Sequence, residues 1–174
     1  MTPGPLIPPG STDRLDLATL VDRMAVTDVV AAFGPSYDSG DFAALTGLFT
    51  EDARYEVLPA VPPLPSVVVG RDEVLRTLRQ RWHHNRHTLG VHQRHVTTNI
   101  VVVRQSRVLA ETRSLLTVTF AHEDGRHELV RTGGYADLLR KEDGRWRLAR
   151  RQLHIAGLPP PSVPLSLDEE GPQT

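Results

Sequence analysis

The chain has no cysteine, which excludes disulfides, thiolate metal sites and cysteine nucleophiles. Lysine occurs once, at Lys141; arginine carries the rest of the basic charge. Aromatic residues make up only 5% of the 174 positions, too few to suggest a stacking platform for single-stranded nucleic acid. Neither sign of charge is in excess. Twenty basic residues stand against 21 acidic ones, a net charge of −1 that gives no general field to attract nucleic acid or anionic lipid. The longest strictly aliphatic run, Ile100 to Val103, falls far short of the roughly 20 residues a membrane span needs. The first ten residues, MTPGPLIPPG, have neither the basic nor the long apolar region of a secretory signal, so a cytoplasmic protein is expected.

What is present is an ordinary globular composition, 39% hydrophobic and 24% charged, in one domain's length of chain. Proline marks the edges. Four of the 14 prolines lie in residues 1–10, and five more at Pro159, Pro160, Pro161, Pro164 and Pro172. Proline lacks a backbone donor and fixes φ, so regular structure is not expected at either end. The expected organisation is an extended arm over 1–11, a single domain over 12–157, and a proline-rich acidic tail over 158–174.

The first half reads as helix. Leu17, Leu20, Val21 and Met24 follow i, i+3, i+4, i+7 spacing, and Val26, Val29, Val30 and Phe33 repeat it on a shifted face. Gly34-Pro35 then predicts a kink or an end. A short helix from Phe42 to Phe49 follows, with Asp41 as its cap, then an alternating strand at Arg54 to Leu58, a proline-rich loop over 58–65, and a short strand at Val67 to Val69. Val74, Leu75, Leu78 and Trp82 describe a third helix. The second half reads as sheet: His92 to Val103, Arg107 to Ala121, His127 to Lys141 and Arg145 to Ile155. The last two turns carry Asp124-Gly125 and Asp143-Gly144, strong hairpin signals. This is an α+β pattern, helices on one face of a curved antiparallel sheet, with a cavity between the layers as the expected ligand site.

Four local motifs, in order, resemble one family. They are Tyr37-Asp38-Ser39-Gly40-Asp41-Phe42, Phe49-Thr50-Glu51-Asp52-Ala53 with Tyr55, His95-Val96-Thr97-Thr98-Asn99, and Gly134-Tyr135 followed by Asp143-Gly144-Arg145-Trp146. Together they look like the nuclear transport factor 2-like superfamily, and within it the SnoaL-like group that includes scytalone dehydratase, bile-acid 7α-dehydratase and hexachlorocyclohexane dehydrochlorinase. The resemblance spans about residues 15–156. It implies a cone-shaped sheet enclosing a cavity, and a homodimer or trimer.

It also implies chemistry. Eliminating water beside an activated carbon needs a base for the proton and an acid for the leaving group, and histidine suits both. The resemblance places His95 as that acid/base and Asp38 as its orienting partner. Tyr55 stands where scytalone dehydratase has a tyrosine that polarises a substrate oxygen. Tyr37, Trp82, Asn99, Val118 and Tyr135 are the expected substrate-binding residues; Val118 and Tyr135 replace a histidine and an asparagine of that enzyme, so scytalone itself is not the expected substrate. Read without the resemblance, Asp38 is first a helix cap, His95 a satisfied structural histidine and Tyr55 a core residue with its hydroxyl bonded.

His83, His84, His87, His92 and His95 crowd into 13 residues, and His83 and His87 are spaced i, i+4. Arg81, Arg86 and Arg94 share the segment and would repel a cation, so no metal is expected there. No cofactor is implied. The loops over 58–65 and 157–166 are candidate lids. The expected function is a cofactor-independent dehydratase for a small, apolar, polyketide- or terpenoid-like metabolite of a biosynthetic pathway. The alternatives are an isomerase or cyclase on a similar intermediate and a non-catalytic ligand-binding or interaction module.

Overall fold

Asp16 starts the first helix: its carboxylate accepts the Thr19 N–H at 2.7 Å, satisfying one of the free donors of the first turn. The computed structural model describes residues 16–60 and 65–155. The arm over 1–11, the tail over 158–174 and most of the two candidate lids therefore lie outside the described residues. Helix α1 (Leu17–Ser39) is followed by α2 (Phe42–Leu48), β1 (Phe49–Leu58), β2 (Val67–Val69), α3 (Arg71–His83) and a single π-type turn (His84–Thr88). Four long strands complete the domain: β3 (Val91–Gln105), β4 (Leu109–His122), β5 (His127–Glu142) and β6 (Arg145–Ile155). No helix among the described residues is long and apolar enough to cross a membrane.

Helix α1 does not end at Gly34-Pro35; of the two outcomes expected there, a kink or an end, the end is excluded. Pro35 lies in its last turn and a half; with no N–H it cannot bond the Ala31 carbonyl, and the helix continues to Ser39 across that one missing bond. Gly40 then ends the helix at φ 74°, in the left-handed region that glycine adopts without strain, and its N–H caps the Ser36 and Tyr37 carbonyls. The two apolar faces read from α1 also separate. Val26, Val30 and Phe33 are core, whereas Leu17, Leu20, Val21 and Met24 are exposed.

The sheet runs β2-β1-β6-β5-β4-β3. Strands β3 to β6 form the expected antiparallel meander, with Gly125 at φ 84° in one hairpin and Asp143 and Gly144 at φ 49° and 75° in the other. The fully antiparallel sheet needs one correction: β1 joins β6 in parallel, so the sheet is mixed. A helix-containing excursion separates these two strands, which is the connection a parallel pair requires. The core fills the space between sheet and helices, with Phe33, Leu45, Phe49, Leu139 and Leu148 almost fully buried.

Two polar ties brace the layers. Asp22 of α1 accepts from Lys141 Nζ at 2.6 Å and from Trp146 Nε1 at 3.0 Å, which gives the tryptophan of the last hairpin its role. Deeper, Arg151 and Asp137 form a fully buried bidentate pair with both bonds at 2.8 Å. The Arg151 guanidinium lies 4.3 Å from the Phe33 ring centre and 4.1 Å from that of Tyr135.

Candidate active site

Asp38 sits in the last turn of α1 and His95 near the start of β3. Asp41, not Asp38, caps α2, its carboxylate accepting the Ala44 N–H at 2.9 Å. Asp38 is thereby free to reach across to the sheet. Its Oδ1 lies 2.6 Å from His95 Nδ1, and its Oδ2 accepts the His95 backbone N–H at 2.7 Å. One carboxylate thus grips both the ring and the main chain of one residue. The pair is shielded, with the Asp38 side chain 3% and the His95 side chain 12% exposed. A carboxylate on Nδ1 fixes the neutral ring as the Nδ1–H tautomer and leaves the Nε2 lone pair available. Among the described residues Nε2 has no hydrogen-bond partner.

His95 lines a cavity of about 60 Å³ between α3, the end of α1 and the concave face of the sheet. Val57, Val68, Val74, Leu78, Leu116 and Leu153 are among its apolar lining, with Pro65 and Val118. The polar exceptions are three tyrosines, Thr77, His95 and two arginines. Tyr37 packs on the His95 ring, centroids 5.1 Å apart. Burial raises Tyr37, Tyr55 and Tyr135 above the ordinary phenol value. At neutral pH each therefore remains a protonated hydroxyl, able to donate a hydrogen bond to a ligand oxygen. The buried Tyr37 hydroxyl lies beside the Gln93 side chain and makes no well-formed hydrogen bond among the described residues.

The structure gathers His95, Asp38, Tyr37, Tyr55, Val118 and Tyr135 at or immediately behind this cavity. Two expected site residues are elsewhere. Asn99 lies at an irregularity in β3, at φ 53°, where the pairing slips between Thr98 and Val101. That slip removes it from the His95 face, and it borders a groove on the outer side of the sheet with Arg113, Leu115 and His154. Trp82 is also off the cavity. The cavity face of α3 is Val74, Thr77, Leu78 and Arg81, an i, i+3, i+4, i+7 set, so Arg81 takes the place expected for Trp82. Trp82 instead donates from Nε1 to the Asp38 carbonyl at 3.2 Å and covers Gly40.

Sequence reasoning missed Arg81, Arg131 and Gln93. The 3.6-residue spacing from Val74 was a usable signal for Arg81. Arg131 becomes evident only from strand register, which puts His95, Val118 and Arg131 in one row across β3, β4 and β5.

The SnoaL-like domain family matches residues 18–152. The chain belongs to the SnoaL-like domain family. Three solved structures show how far the likeness extends. A variant of Rv3472 from Mycobacterium tuberculosis, a protein of unknown function, is 28% identical over 87% of this chain and 82% of its own, with a TM-score of 0.63. A provisionally assigned scytalone dehydratase from Novosphingobium aromaticivorans is 24% identical over 79% of this chain and 86% of its own, TM-score 0.62. A protein from the same species, described as nuclear transport factor 2-like with a cystatin-like fold, is 23% identical over 84% and 93%, TM-score 0.64. No curated protein matched the chain. This SnoaL-like domain therefore has the nuclear transport factor 2-like fold, and its function is argued from its own site.

Proposed function

We propose that this SnoaL-like domain is a cofactor-independent acid/base enzyme, a dehydratase acting in the cytoplasm on a small, largely apolar metabolite of a biosynthetic pathway. The observation that carries the reading is the Asp38–His95 contact, with the second ring nitrogen free beside an apolar cavity. His95 Nε2 takes a proton from the carbon next to a substrate carbonyl. The electron pair of that C–H bond forms the new C=C bond as the hydroxyl on the adjacent carbon departs. The imidazolium returns the proton to the leaving oxygen, which leaves as water, and the histidine is neutral again. Asp38 stabilises the imidazolium between the two steps. Tyr55 donates a hydrogen bond to the carbonyl oxygen as it gains charge. The scytalone dehydratase assignment of one structural neighbour agrees with this reaction class.

The test is to incubate the protein in D₂O with one- and two-ring β-hydroxy ketones and follow the ultraviolet absorption of a conjugated enone together with deuterium incorporation. Enone formation supports the dehydratase. Deuterium exchange without enone identifies an isomerase or cyclase using the same proton transfer. Neither signal with any compound goes against the enzyme reading and favours a binding module.

We also propose a homodimer, formed by the outer face of the sheet. Val96, Val101 and Leu115 are 44%, 42% and 56% exposed there, an apolar surface shared by neighbouring strands β3 and β4. A second copy of the same face fits a two-fold contact. Sedimentation velocity of Leu115→Lys against the parent chain tests it; an unchanged dimer, or a parent monomer, contradicts it.

A further inference from the structure

Besides its tyrosine hydroxyls and Thr77, the cavity has one strongly polar end, and that end is rich in donors and has no carboxylate in its lining. Arg81 from α3 and Arg131 from β5 line it beside His95, and the same three residues line a small adjoining recess with Asn85 and Gln93. Among the described residues neither arginine makes a hydrogen bond or an ion pair. No aspartate or glutamate lines either space. The two nearby carboxylates are already committed, Asp38 to His95 and Asp137 to Arg151.

The like charges also affect each other. Arg131 is held below the ordinary guanidinium value, by burial first and by the charge of Arg81 second. Such an arrangement is unfavourable in the empty protein and is relieved by a bound anion. Gln93 adds a further donor. It is 6% exposed, its Oε1 accepts from Asn85 Nδ2 at 2.7 Å, and its Nε2, beside the Tyr37 hydroxyl, makes no well-formed hydrogen bond among the described residues. A buried donor without an acceptor costs stability unless a ligand completes it.

From this cluster we propose that the ligand carries a carboxylate, held by Arg81 and Arg131 at the Gln93 end of the cavity, with its apolar body lying toward Val57, Val74 and Leu153. The row His95, Val118, Arg131 sets the scale: two strand spacings separate histidine from arginine, roughly 10 Å between backbones. Side chains from both ends shorten that gap, so the carboxylate sits a few bonds from the carbon that His95 addresses. The substrate class is an apolar hydroxy-carbonyl compound bearing one acid group. This deepens the dehydratase reading by naming its substrate class and rests on that reading for the reaction, but the anion site itself is a matter of binding.

Binding can therefore be measured without turnover. The probes are benzoate and its neutral counterpart benzamide, titrated by calorimetry and by the arginine side-chain N–H signals in ¹⁵N-labelled protein. Benzoate is expected to bind about tenfold or more tightly than benzamide, since a hydrogen bond to a charged group is at stake. Added sodium chloride should weaken benzoate alone. In the double variant Arg81→Gln, Arg131→Gln that preference should vanish while benzamide still binds, which also shows that the variant is folded. Equal binding of the two probes, no saturable benzoate binding, or benzoate binding unchanged in the double variant would each overturn the proposal. His95→Ala separates the two readings. Benzoate selectivity should survive in it, so enone formation that also survives would remove the role of His95 and leave the anion site standing.

Discussion

Gly34 of α1 lies against the backbone of His95 so closely that a Cβ there would stand 2.7 Å from the His95 carbonyl oxygen and 3.3 Å from its Cβ. This contact lets the helix approach the strand and brings Asp38, one turn further along, within reach of the imidazole. Gly34→Ala is expected to push the helix outward. An added methyl in a site without room costs about 1–3 kcal/mol, measurable by urea unfolding. The same displacement should lengthen the Asp38–His95 bond and lower activity; a variant of unchanged stability and activity would show the approach is not tight.

Asp38→Asn should leave the fold intact and nearly abolish activity. The amide oxygen can still accept the His95 backbone N–H, but its NH₂ then faces Nδ1. That favours the opposite tautomer, with the proton on Nε2 and no lone pair toward the substrate. In the serine-protease triad the equivalent change costs about 10⁴ in turnover, and a fall of about 10²–10⁴-fold is expected here. Imidazole ¹⁵N shifts of His95 should report the reversed tautomer.

Asp137→Asn should destabilise the protein by about 3–5 kcal/mol, because it leaves Arg151 charged, fully buried and without its partner. The effect should spread to the cavity, since Arg151 stacks on the ring of Tyr135, which lines it. Thermal unfolding checks the first point and benzamide affinity the second.

Acid stability should depend on Glu56. Burial pushes this carboxyl up, but hydrogen bonds from Arg150, Gln152 and Arg54 outweigh it and hold it below its ordinary 4.5. A carboxylate lowered by folding contributes stability above its unfolded value and loses it as pH falls through the folded value. The Glu56 contribution should therefore be complete above about pH 4.5 and disappear below it. Glu56→Gln should be less stable than the parent at pH 7, with the gap closing on acidification; a gap that stays constant with pH would contradict this.

Much of this was legible in the sequence, and the failures have definite causes. The hairpins were readable because Asp-Gly pairs encode their own turn geometry. The Asp38–His95 pairing came from family resemblance, since the residues are 57 apart and no local pattern joins them. Helix α1 passes through Pro35 one backbone bond short, its end held against β3 by the Gly34–His95 approach and the Asp38 carboxylate, long-range contacts that periodicity does not show. Asn99 was misplaced by an irregularity in β3, a slip that reverses the face of the residues after it until a second slip between Val102 and Arg104. Trp82 was misplaced by one position on α3, where apolar character hid that Arg81 faces inward. Arg131 escaped notice because a single charged residue in a strand says nothing of its row until the register is known.

The central claim is that His95, oriented by Asp38, moves the proton. It is tested most directly by enone formation from a β-hydroxy ketone turned over by the parent protein, measured again with purified His95→Ala under saturating substrate. The account predicts a rate lower by about 10²–10⁴-fold with benzamide binding and thermal stability retained. A rate close to that of the parent would contradict it.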